Sequence, residues 1–278
     1  MSALGGPAGS DEAFSKPIGV VVSIILVLIS LGLAYYLGAM SVTVALAGII
    51  IGGVLIGFGV HFVPVGGAPA AMGQNPGIAT GVAMLAAGAG LAGLFAGSWA
   101  AELGLAVALF SGAIGGALMM AITCLMVNVI YVFGMGIPAA SGKVDKDPIT
   151  GDTFTEYKSQ GTEGHGLPFV SYIGGVIGGF LGGLGGTLIY YELLMVYESL
   201  FPTLLDAKTE AIMPVAVSLA GVFAIGMFLV NAVLTAYNIT GTIEGPHDPK
   251  FKRWPRVIFA SAAATAICGV VAIMIVLV

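Results

Sequence analysis

Charge is what this chain has least of: only 8% of its 278 residues are Asp, Glu, Lys or Arg, against roughly 25% in an ordinary soluble domain. Water is therefore not its main solvent. Nine Lys+Arg, three His and a formal net charge of -5 leave too little positive charge to line a nucleic-acid groove. Cysteine is nearly absent too. Cys124 and Cys268 both sit inside apolar runs, where a cysteine acts as a small buried hydrophobe, and two such thiols make no metal framework.

What the chain does have is apolar length and glycine, with 58% hydrophobic residues and 44 glycines. A segment crossing a hydrocarbon core about 30 Å thick needs about 20 apolar residues, and it must be helical so that every backbone N–H and C=O is satisfied internally. Seven such spans are present, at Ile18–Leu37, Val42–Phe62, Ile78–Trp99, Leu103–Phe133, Phe169–Tyr191, Ile212–Tyr237 and Val257–Val278. The expected fold is an all-α integral membrane bundle of about seven Gly-rich transmembrane helices. Residues 1–17 form an N-terminal tail, 18–278 a single helical domain, and 134–168 and 238–256 its long polar loops. The first span follows Lys16 and partly resembles a signal sequence, but it lacks an A-x-A cleavage site and is long for an h-region, so a retained helix is expected.

Lys and Arg near span ends are retained on the cytoplasmic side. Lys143, Lys146 and Lys158 follow span four, while Lys250, Lys252, Arg253 and Arg256 follow span six. With Lys16 they share one face, and only Lys208 lies opposite. A cytoplasmic N-terminus and an outer C-terminus follow. Val127-Asn128 ahead of Asp147-Pro148 is echoed by Val230-Asn231 ahead of Asp248-Pro249. The echo suggests a parallel repeat of the kind some transporters use, but it rests on four residues.

Gly88-Ala89-Gly90-Leu91-Ala92-Gly93 matches the dinucleotide-binding fingerprint letter for letter. It lies inside an apolar span with no preceding strand, so it is read as helix packing. Small residues four apart let helix backbones approach closely. Gly53 with Gly57, Gly93 with Gly97, Gly112 with Gly116, and the ladder Gly174, Gly178, Gly182, Gly186 all have that spacing. The ladder should be a seam against a helix of this chain or of a partner.

The segment from His61 to Gly77, with Gln74 near its end, is apolar yet broken by three prolines and four glycines. Such backbone survives at membrane depth only where protein covers it or it lines a wet cavity. It is either a re-entrant segment or an interfacial loop packed on partner subunits. Asn128 and Asn231 fall within spans four and six, where an amide either bonds a neighbouring helix or offers oxygen to a cation in transit. Glu102, Glu192 and Glu198 are placed near span ends, so a complete cation site within this chain alone is not expected. The two polar loops each set Gly-Thr-(x)-Glu-Gly beside a histidine, as Glu163 with His165 and as Glu244 with His247 and Asp248. Such a pair suits acid/base or metal chemistry. Without a nucleophile or pocket beside it, a docking or coupling surface is the better reading. Asn238-Ile239-Thr240 matches a glycosylation acceptor that its expected cytoplasmic placement would leave unused.

Several of these segments, taken in order, resemble the D-subunit family of the tetrahydromethanopterin S-methyltransferase of methanogenic archaea. They are the block Gly52 to Gly77, Asp147-Pro148-Ile149-Thr150, Ser159 to Pro168, and Tyr237-Asn238-Ile239 followed by Gly241 to Lys252. The resemblance runs from about Gly52 to the C-terminus and leaves Met1–Gly48 as an extension. It implies a subunit of an archaeal membrane complex that transfers a methyl group from methyl-tetrahydromethanopterin to coenzyme M and exports sodium ions. It further implies that a corrinoid on another subunit carries the methyl group, that this chain binds no cofactor of its own, and that its partners are the other hydrophobic subunits, the corrinoid-bearing subunit and lipid. Two other readings compete: a self-sufficient secondary transporter, and an architectural membrane scaffold for which the glycine seams suffice.

Overall fold

A helix that is apolar on every side has no face to turn toward water, so it belongs in lipid or in a core enclosed on all sides. The computed structural model describes residues 17–62, 88, 90–130, 133, 169–204, 209–239 and 253–276. Apart from short turns these residues are helical. The helices are α1 (Pro17–Val60), α2 (90–99), α3 (Leu105–Val129), α4 (Phe169–Leu204), α5 (Thr209–Ile239) and α6 (Trp254–Met274). A short 3-10 turn, Ala101–Leu103, ends at Gly104, whose φ of 96° suits glycine, and joins α2 to α3. Large apolar side chains face outward, including Tyr36 at 86% exposure, Trp99 at 80% and Phe95 at 74%. That surface is stable in hydrocarbon and not in water.

Five of these helices are long and apolar enough to cross a membrane. The seven expected spans differ from them for two reasons. Spans one and two are joined in α1, whose 44 residues would reach about 66 Å if continuous, more than twice a hydrocarbon core. The continuity is broken at Gly38 and Ala39. Ala39, with φ 55° and ψ -148°, occupies a left-handed region that side chains disfavour. The break leaves segments 17–37 and 40–60, each about 31 Å long and sufficient for one crossing. The third expected span falls within the described residues only at 88 and from 90 onward.

Span five also differs, because α4 runs to Leu204 and not to Tyr191. Glu192 and Glu198 look like end signals, but a single carboxylate does not stop a helix whose backbone bonds continue. Span seven begins earlier than expected, at Trp254, with a proline in the first turn where its missing N–H costs nothing.

Helix directions follow from which residues meet. Gly52 faces Gly185 and Ile189 while Gly59 faces Gly178 and Gly182, so the second segment of α1 is antiparallel to α4. Gly93 and Gly97 meet Gly183 and Thr187, so α2 runs parallel to α4. Gly112 meets Gly183 and Thr187 while Gly116 meets Gly179, so α3 is antiparallel to it. Gly53 meets Thr265 and Gly57 meets Ser261, which makes α6 antiparallel to α1. Asn231 bonds the Thr265 that faces Gly53, while Thr235 reaches Gly57, so α5 is parallel to α1. Successive spans from the second segment of α1 to α6 thus alternate in direction, as consecutive crossings must.

Candidate functional site

Two kinds of helix contact hold this bundle, and the glycines decide where each occurs. On α4 the glycines face four neighbouring helices of the same chain. Gly179 and Gly183 lie against the carbonyls of Gly116 and Gly112, Gly185 lies against Gly52, and Gly182 and Gly186 receive the ring of Phe228. The expected four-residue ladder is thus not one seam but part of a helix with close approaches on several sides. Gly90 and Gly93, from the apparent fingerprint, pack on Phe228 and Gly183.

The second kind of contact lies between α1, α5 and α6. Gly53 and Gly57 leave room for the hydroxyls of Thr265 and Ser261, which occupy the space a Cβ would take. Asn231 Nδ2 donates to Thr265 Oγ1 at 2.8 Å and to Met227 O at 2.8 Å. Because both amide hydrogens are used in this way, Asn231 Oδ1 is left as an acceptor. It is buried and has no hydrogen-bond partner among the described residues, as is Ser261 Oγ. One turn on, Thr235 Oγ1 donates to Asn231 O at 2.8 Å and lies 3.3 Å from Gly57 O. Gly57 O also bonds His61 Nδ1 at 2.9 Å. Asn231, Thr235, Ser261, Thr265 and His61 are all fully buried. The result is a neutral seam rich in oxygen, with no carboxylate among these residues.

The seam continues to one end of the bundle. Asn238 Nδ2 donates to Arg253 O at 3.1 Å, and Arg253 Nη1 donates to Asn238 O at 3.2 Å, which ties the end of α5 to the start of α6. Phe58 packs beside it against Phe62 and Trp254, at centroid distances of 5.2 and 5.3 Å.

Asn231 is at the centre of this seam, whereas His61, expected to open a re-entrant segment or an interfacial loop, is buried in the turn that ends α1. Asn128 lies on α3, with its side chain outside the described residues. Gln74, Glu163, His165, Glu244, His247 and Asp248 also lie outside the described residues. Sequence reasoning missed Thr235, Ser261 and Thr265, since Ser and Thr are common in membrane helices. The available signal was spacing: Asn231 with Thr235 and Ser261 with Thr265 are each four apart, hence on one helix face.

Glu192, expected near a span end, is placed differently by the structure. It lies within the membrane-spanning stretch Gly174–Pro202 of α4, and its carboxyl group rests over Gly48 of α1. Gly48 is nine residues beyond the break at Ala39, about 13 Å along a helix of about 31 Å. The expectation that no carboxylate lies centrally in a span is therefore corrected, because pairing with α1, not position in the sequence, sets the depth of Glu192.

These features define the class as a polytopic helical membrane protein, closed by glycine contacts and containing a buried neutral polar seam. The MtrD family model, which describes the D subunit of tetrahydromethanopterin S-methyltransferase, matches residues 42–265. The chain is 50% identical over 228 residues to the D subunit of that enzyme from Methanosarcina barkeri, covering 81% of this chain and 91% of the relative. It is 49% identical over 225 residues to the one from Methanothermobacter marburgensis, covering 81% and 93%. It is 42% identical over 243 residues to the one from Methanocaldococcus jannaschii, covering 85% and 98%. The chain belongs to the D-subunit family of tetrahydromethanopterin S-methyltransferase and is a membrane subunit of that methyltransferase complex. The family match begins at residue 42, three residues past the break in α1, so the segment 17–37 precedes the matched region.

Proposed function

We propose that this chain serves the sodium-handling side of its methyltransferase complex and takes no part in the methyl-transfer chemistry. A sodium ion in passage is held by oxygens of the seam between α1, α5 and α6. One observation carries this reading: Asn231 Oδ1 and Ser261 Oγ are buried without a hydrogen-bond partner among the described residues, beside the hydroxyls of Thr235 and Thr265 and the carbonyl of Gly57. An unsatisfied buried polar group costs about 1–3 kcal/mol, and a partly dehydrated cation ligated by neutral oxygens would offset that cost. Neutral ligands also suit an ion that must leave again, since conduction requires binding that is favourable but weak.

On this reading the corrinoid that carries the methyl group belongs to another subunit. The loops 134–168 and 240–253, with Glu163, His165, Glu244, His247 and Asp248, face the cytoplasm and receive conformational changes from the soluble part. Coupling of this kind requires two states of the seam with different sodium affinity. The test is Asn231→Leu in the intact complex, following methyl transfer to coenzyme M as a function of sodium concentration. The expected result is a full set of co-purifying subunits with sodium stimulation lost. Undiminished sodium stimulation would overturn the reading and leave the seam as packing.

A further inference from the structure

Glu192 is placed where a carboxylate has no ordinary reason to be. It sits near mid-depth of the second segment of α1, on the outward side of the α1–α4 contact, and it is only half-buried. Among the described residues no side chain donates a hydrogen bond to it or forms an ion pair with it. Its neighbours on that face are apolar and exposed: Val44 at 59% and Ile51 at 54% on α1, and Met195 at 36% on α4. Gly48 adds no side chain to that face, and the Glu192 side chain lies across the space it leaves. Lys and Arg have stems long enough to carry a charge from this depth to the interface, but a Glu side chain is too short. Intramembrane ionisable groups pair with one another or with polar groups of a neighbouring helix.

We infer that the outward face of α1 and α4 around Glu192 is the docking site for a transmembrane helix of another subunit, which presents a Lys, Arg, Asn or Gln to the Glu192 carboxylate. Charge complementarity selects this occupant: lipid chains supply no donor, and a second copy of this face would set carboxyl against carboxyl, which pair only when one is protonated, whereas a Lys, Arg, Asn or Gln donates to the carboxylate directly. The inference rests on membership of the complex and not on the sodium reading.

The experiment places a photoreactive benzophenone amino acid at position 195 of the chain in the intact complex and maps the adducts by mass spectrometry. The expected adduct is on a transmembrane helix of a different subunit, within one turn of a Lys, Arg, Asn or Gln. Adducts confined to lipid, to a second copy of this chain, or to a helix without such a residue would each overturn the proposal. In a parallel measurement, Glu192→Leu should lower recovery of the crosslinked partner with the tagged chain by roughly threefold to tenfold, the range for loss of one interhelical polar contact; undiminished recovery would also overturn it. Neither readout involves sodium, so failure here is separable from failure of the sodium site.

Discussion

The contact of α3 with α4 and the contact of α1 with α6 use the same residue for opposite ends. Between α3 and α4, glycines at 112, 116, 179 and 183 bring two backbones together, each lying against the other's carbonyl oxygens. Between α1 and α6, Gly53 and Gly57 do not meet glycine but the hydroxyls of Thr265 and Ser261. In lipid no hydrophobic force drives helices together, so packing and interhelical hydrogen bonds must do it. The first contact relies chiefly on backbone packing, with one buried hydroxyl, that of Thr187, lying over Gly112 and donating to Gly93 O at 3.2 Å, while the second uses the space that glycine leaves to enclose a connected set of polar groups. Glycine spacing in a sequence therefore marks close approach but not what approaches.

The two contacts should diverge most at Gly183. Its Cβ would collide with the Gly112 carbonyl, a backbone atom that cannot rotate away. Gly183→Leu should destabilise the chain by roughly 3 kcal/mol or more, seen as loss of the folded fraction when mixed micelles are titrated with SDS. Gly53→Ala should cost less, roughly 1–3 kcal/mol, because the Thr265 side chain in its way can turn. That turn would move the hydroxyl from Asn231, so sodium stimulation of the complex should fall along with stability. Equal losses of stability at the two positions, with sodium dependence untouched, would remove the distinction between the contacts.

Asn231→Leu probes the polar contact directly. Interhelical hydrogen bonds in membranes average about 0.6 kcal/mol, so the SDS midpoint should shift little even where sodium stimulation is lost. The smallest effect has the opposite sign. At Gly221 a Cβ would meet nothing within 4 Å, so Gly221→Ala should stabilise α5 by up to about 1 kcal/mol through helix propensity. A loss of stability there would mean that a partner helix covers that face.

The fold is legible in the residues wherever one physical term dominates. Apolar runs near 20 residues leave few options in lipid, so the helices and their alternating order can be read along the chain. The junction at Gly38 and Ala39 shows only as a gap between two expected spans, and nothing in the residues says that both are continuous helix up to it. The end of span five is misplaced in the sequence because Glu192 and Glu198 are polar, and polarity is the usual mark of the interface. At the candidate site, Asn231 stands out because a buried amide is costly and rare. Thr235, Ser261 and Thr265 do not, since a hydroxyl can satisfy itself on its own helix, as Thr235 does in part with Asn231 O. Only the neighbour determines whether such a hydroxyl is turned to another use.

Composition and motifs along the chain are enough to put this protein in a membrane, to make it cross as helices, and to set it with the D-subunit family. The cost of unsatisfied backbone in hydrocarbon enforces the first two. Other facts exist only once the helices are packed: Gly53 and Gly57 frame a polar seam, Asn231 and Ser261 each have an oxygen without a partner among the described residues, and Glu192 lies opposite Gly48. They depend on the register between helices distant in sequence. Helix register in a membrane is set by which small residues let which neighbours approach, and no single segment carries that information.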